Sequence, residues 1–146
     1  MIFFLQSDKK EVKNNGIYIQ GLRHVRGGRS FPNLDCWGLV RDVYKSIGAT
    51  LPEFVDFEQC TMHKAAKSCI AEHLFFEVYE PQDFDVIAFF RKNRLFHVGI
   101  CYQNKILHTT QNRNCRYEPI SNFLSHSDNI CVRYYRCKLL YFHEKT

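Results

Sequence analysis

Residues 34–44 read LDCWGLVRDVY, and the fold turns on this stretch. Leu39, Val40, Val43, Tyr44 and Ile47 recur at i, i+1, i+4, i+5 and i+8, which is one face of a helix. Asp35 stands where an N-cap is expected, Gly48 where a C′ glycine is expected, and Pro52 follows. The first helical residue is Cys36. A helix N-terminus offers unpaired N–H groups and a partial positive charge, both of which favour a thiolate over a thiol. None of the other six cysteines has such a setting: Cys101 (VGICY) and Cys131 (NICVRYY) lie inside strand-like runs and read as small apolar residues.

Downstream the period changes. VIAFF (86–90), LFHVGICY (95–102), KILHTT (105–110) and ICVRYYRC (130–137) are short, β-branched and aromatic. Lys92-Asn93-Arg94 and Gln103-Asn104 read as hairpin turns. Weaker helical signals fall near Ile17–Arg23, at 58–75, and at 119–125 behind Pro119. Helices first and an antiparallel meander second predict an α+β fold, with helices packed on one side of the sheet.

The meander carries two histidines. In LFHVGICY, strand alternation puts Leu95, His97 and Gly99 on one face and Phe96, Val98 and Ile100 on the other. His108 lies on the next strand, and a tight turn at Gln103-Asn104 makes it a cross-strand neighbour of His97. One ring can then orient the other. Cys36, His97 and His108 thus form a candidate nucleophile, base and orienter. The bland alternatives are a buried helix cysteine and two hydrogen-bonded strand histidines.

The rest of the composition narrows the function class. At 146 residues the chain is expected to form one domain, 1–146, with its core at about 21–137. With 45% hydrophobic residues it has ample material for a core without staples. The net charge of +5 is scattered, which suits an anionic partner, whether a nucleic acid, an acidic glycan or cell-wall polymer, or a membrane surface, without choosing among them. No RNP-like motif, zinc finger or basic helix argues for nucleic acid. Seven cysteines without a CxxC pair argue against a disulfide framework and against a metal site; no cofactor is expected. MIFFLQSDKK has too short an apolar run, with its charges after it, for a signal peptide, and no run is long enough to span a membrane. The product is expected to start in the cytoplasm, with export by another route or association with a virion as the alternatives.

Three segments, in order, resemble the NlpC/P60 superfamily of papain-like cysteine peptidases, and its phage-type branch in particular. GGRSFPNLDCWGLVRDVYKSIGATLP resembles the glycine pair, variable loop and D-C-[SW]-G-L-V helix start; Trp37 is the phage-type choice. PQDFDVIAFF resembles P-G-D-[LV]-V-F-F, and HVGICYQNKILHTT resembles the strand pair H-V-G-I…[IV]-x-H-A. The terminal RYYR is also common in phage-type members. The resemblance implies a papain-like fold with Cys36 as nucleophile, His97 as general base and acid, and His108 as the orienting third residue. It implies hydrolysis of amide bonds in cell-wall peptides, of the D-γ-glutamyl–diamino acid type, without a metal. It places Asp35, Trp37 and His24 beside the substrate. His24 stands where several members carry a tyrosine twelve residues before the cysteine, and PQDFD lacks the glycine of the P-G-D turn. The His24 departure keeps one alternative open, and the basic surface together with the lack of an export signal keeps a second. The same triad could act as an acyltransferase, deamidase or thioesterase, or the chain could be a structural protein of a phage-tail-like assembly.

Overall fold

The structure, a computed structural model, describes residues 3–4, 17–18, 23–25, 28–30, 33–52, 74–110, 115–124 and 129–139. Two small sheets precede the first helix. Strand β1 (Phe3–Phe4) pairs in parallel with β2 (Ile17–Tyr18). Strand β3 (Arg23–His24) pairs in parallel with β5 (Asn33–Leu34), which pairs antiparallel with β4 (Arg29–Ser30). Both ends of the expected 17–23 helix are therefore strand; 19–22 lie outside the described residues. Most of the expected 58–75 helix also lies outside them, and Phe75 opens a strand instead.

Helix α1 (Cys36–Ser46) begins and ends as its sequence requires. The Asp35 carboxylate accepts the Gly38 backbone N–H at 2.7 Å, satisfying one of the donors a helix start leaves over. At the other end Gly48 has φ 102°. The Gly48 N–H donates to the Lys45 carbonyl (3.2 Å) and the Ala49 N–H to the Tyr44 carbonyl (2.8 Å), the double closure of a Schellman motif. Trp37, Leu39, Val40, Val43 and Tyr44 are buried along the helix. At about 1.5–3 kcal/mol for each fully buried large apolar side chain, this face anchors α1 far more strongly than propensity does.

The main sheet has six antiparallel strands in the order β10-β9-β8-β7-β11-β6. They are β6 (Phe75–Val78), β7 (Val86–Arg91), β8 (Arg94–Tyr102), β9 (Lys105–Thr109), β10 (Cys115–Glu118) and β11 (Ile130–Cys137). Lys92-Asn93 and Gln103-Asn104 have positive φ at both positions, as two-residue hairpins with right-handed twist demand. Arg94 already belongs to β8. Phe84, in the PQDFD stretch, also has positive φ (74°), a conformation that glycine adopts without strain and phenylalanine does not.

The N-terminal helix α1 packs on the antiparallel sheet, as the α+β reading expects, and the opposite face is covered as well. Val86, Ala88, Val98, Ile100, Tyr102 and Leu107 pack in one cluster with the buried face of α1. Ile87, Phe89, Cys101 and Ile106 face the other way, against Ile120, Phe123 and Leu124 of the short helix α2 (Ile120–Leu124). The face assignment within β8 also shifts at one end. Pairing runs Phe89 with His97, then Phe90 with Leu95, so β8 carries one extra residue at a β-bulge. Leu95 consequently joins Val98 and Ile100, while Phe96 joins the Phe89 side.

Candidate active site

Helix α1 packs against β8 and β9, the strands that carry the two histidines. Cys36 stands at its first position, 2% exposed, just behind the Asp35 cap. His97 of β8 and His108 of β9 are brought together as the alternation of the two strands requires. His97 Nε2 lies 2.8 Å from His108 Nδ1, and the rings are 6% and 0% exposed. Phe89 stacks on His97 with ring centroids 5.4 Å apart, and Phe123 of α2 lies 5.0 Å from His97 and 5.4 Å from His108. The imidazole pair is thus held between two apolar rings, one from the sheet and one from the helix on that face.

The network continues into β10, an edge strand not among those expected from the sequence. His108 Nε2 lies 2.7 Å from Glu118 Oε2. Arg116 Nε donates to the same carboxylate oxygen at 3.0 Å, and Arg116 Nη1 donates to Thr110 Oγ1 at 2.8 Å. Partial burial pulls the Glu118 carboxyl up, but the bonds from His108 and Arg116 outweigh it and hold it below the ordinary carboxylate range. Cys115-Arg-Tyr-Glu offered one signal, alternation, with Tyr117 turned to the α1 side and Arg116 and Glu118 to the histidine side. Four residues with two charges are too short and too polar to stand out as a strand.

Asp35 is 0% exposed and Trp37 is 3% exposed, its indole N–H donating to the Pro52 carbonyl at 3.0 Å. The backbone of His24 pairs opposite Leu34, two residues before Cys36, while its side chain lies outside what the structure describes. Among the other thiols, burial pushes Cys101 up to about 11 and Cys115 up to about 12, so neither is poised to react at neutral pH. Cys131 is exposed. Among the described residues, no group of three or more His, Cys, Asp or Glu side chains could hold a metal ion, and no helix is long and apolar enough to cross a membrane.

No curated protein matches the chain significantly. Among solved structures, the chain is similar to the crystal structure of the NlpC/p60 domain of peptidoglycan hydrolase SagA. The TM-score is 0.54 at 17% identity, over 80% of this chain and 88% of that one. At that identity the likeness speaks for the fold. The model of the NlpC/P60 family matches residues 21–134, which include the cysteine that opens α1 and both histidine strands. On that match, which spans well over half of its length, the chain belongs to the NlpC/P60 family.

Proposed function

We propose that the chain is a cysteine peptidase or amidase acting on cell-wall stem peptides, through a thioester on Cys36. The observation that carries this reading is the buried 2.8 Å His97–His108 pair, on the two strands against which the Cys36 helix packs. The family and the peptidoglycan hydrolase domain of similar fold support the substrate class. In this mechanism His97 takes the thiol proton and the Cys36 sulfur attacks the amide carbonyl carbon. The carbonyl oxygen becomes an oxyanion, which the Cys36 backbone N–H stabilises. As the C–N bond breaks, His97 returns the proton to the leaving amine. Water, deprotonated by His97, then hydrolyses the thioester. Asp35 and Trp37 hold the helix start through their bonds to the Gly38 N–H and the Pro52 carbonyl, and with His24 they are the proposed substrate-side residues. A bond between D-γ-glutamate and a diamino acid is the proposed target, and Trp37 and the RYYR segment favour the phage-type branch.

Digestion of purified peptidoglycan, with released peptides read by mass spectrometry, tests this. Cys36→Ala is expected to lower turnover by about 10³-fold or more with the fold intact. His97→Ala is expected to lower it by about 10²–10⁴-fold. In a Cys131→Ser background, iodoacetamide at pH 6 is expected to label Cys36 ahead of Cys101 and Cys115. Intact stem peptides together with an acyl adduct on Cys36 from another substrate would replace hydrolysis of the cell wall by acyl transfer. Undiminished digestion by Cys36→Ala would sink the mechanism.

A further inference from the structure

The proton positions in the histidine pair follow from what lies behind it. An ionised carboxylate accepts hydrogen bonds and donates none, and a neutral imidazole carries one N–H. Glu118 Oε2 sits 2.7 Å from His108 Nε2, whereas the competing approach of Arg116 Nη2 to that nitrogen is 3.5 Å. The shorter contact decides the tautomer: Nε2 of His108 bears the hydrogen and donates it to Glu118. Nδ1 of His108 is then an acceptor, so the contact at 2.8 Å must be a donation from His97 Nε2. With its hydrogen on Nε2, neutral His97 has its lone pair on Nδ1, the form a general base needs. A doubly protonated His108 would reverse the chain: His97 Nε2 would have to accept, and its Nδ1 would carry a hydrogen and could take no proton.

Arg116 bears on that second case. Its guanidinium shares Oε2 of Glu118 at 3.0 Å and lies beside His108, and Thr110 helps to fix it. A permanent cation there opposes a second proton on His108, and by partly neutralising Glu118 it makes the carboxylate a weaker proton attractor. Among the described residues, the charged groups beside the pair are therefore Arg116 and Glu118 of β10, while β7 contributes the apolar Phe89 and α2 the apolar Phe123.

We propose that Glu118 and Arg116 are positioning residues of this site: Glu118 fixes the tautomer of His108, and through it that of His97, while Arg116 keeps His108 singly protonated. The relay moves no proton of its own. The thiol proton goes to His97 Nδ1, and the resulting imidazolium keeps donating from Nε2 to His108. This rests on His97 being the base for Cys36, and it assigns β10 a role beyond closing the sheet.

Long-range ¹H–¹⁵N correlation on the full chain with ¹⁵N-labelled histidine reads both tautomers without substrate. His108 is expected with its hydrogen on Nε2 in the wild type. Glu118→Ala is expected to shift it toward the other tautomer, and Glu118→Gln, which retains an acceptor oxygen, to restore it. Arg116→Leu is expected to raise the pH at which His108 takes its second proton. Alkylation of Cys36 at pH 7 is expected to fall by about tenfold in Glu118→Ala and to recover to within about twofold in Glu118→Gln. Loss of an orienting carboxylate costs about 10⁴-fold where it touches the base directly, and here it lies one residue further away. A His108 hydrogen on Nδ1 in the wild type, or an unchanged tautomer in Glu118→Ala, overturns the proposal. A shifted tautomer with unchanged alkylation of Cys36 sustains the assignment of Glu118 and overturns instead the role of His97 as base.

Discussion

At the residue scale, the site combines groups whose protonation is set by their partners. Glu118 gives the clearest consequence for pH. Its carboxyl is held below its ordinary value of about 4.3, because the ionised form is bonded by His108 and Arg116 despite partial burial. A depressed carboxyl stabilises the fold above its unfolded value, and that contribution fades as the pH falls through the folded value. The wild type should therefore exceed Glu118→Gln in urea midpoint at pH 7, and the gap should narrow by pH 3. A gap as large at pH 3 as at pH 7 would show that the carboxylate charge contributes nothing. The sequence made Cys36, His97 and His108 legible because each carries a local cue: a cap before a helical period, and imidazoles on alternating strands. Glu118 had no such cue. Its importance comes from a cross-strand relation, Arg116 opposite His108 and Glu118 opposite Ile106, that no run of neighbouring residues announces.

At the element scale, α1 was readable almost to the residue, because its cap, apolar face and terminating glycine all lie within fifteen positions. What the sequence did not show is how tightly the helix start is seated. A Cβ on Gly38 would lie 2.2 Å from the Gly28 carbonyl oxygen and 3.1 Å from Asp35 Oδ1. That carbonyl also accepts the Asp35 N–H at 3.1 Å, so it cannot simply move aside. In an exposed helix, glycine to alanine gains about 1 kcal/mol. Here the clash with backbone should reverse the sign, and Gly38→Ala is expected to destabilise by about 1–3 kcal/mol, as overpacking does. Because Cys36 lies two residues away, its alkylation should slow as well. An increase in urea midpoint would refute the tight seating of this turn.

At the scale of the whole molecule, the sheet is closed by contacts between residues far apart in sequence. Asp85, at the start of β7 and 2% exposed, accepts from Arg136 of β11 through both oxygens, Nε to Oδ1 at 3.0 Å and Nη2 to Oδ2 at 2.9 Å. The same carboxylate accepts the Gln82 N–H at 2.7 Å, while the Tyr44 hydroxyl of α1 donates to the adjacent Phe84 carbonyl. One corner thus ties the helix, the turn before β7 and the penultimate position of β11 together. The partners are 51 residues apart, which is why the meander was legible as strands while its order, with β11 inserted between β7 and β6, was not. Replacing Arg136 with alanine strands a buried carboxylate. Loss of one partner from a fully buried pair costs about 3–5 kcal/mol. The Arg136 side chain is 23% exposed and Gln82 still serves Asp85, so the cost should be nearer 2–3 kcal/mol. For a chain of this size that is a fall in Tm of about 5–10 °C. Arg136→Lys keeps the charge but cannot make the two-pronged contact, and it should recover only part of the loss. Full recovery with lysine would mean that charge alone, not the fork geometry, holds this corner of the sheet.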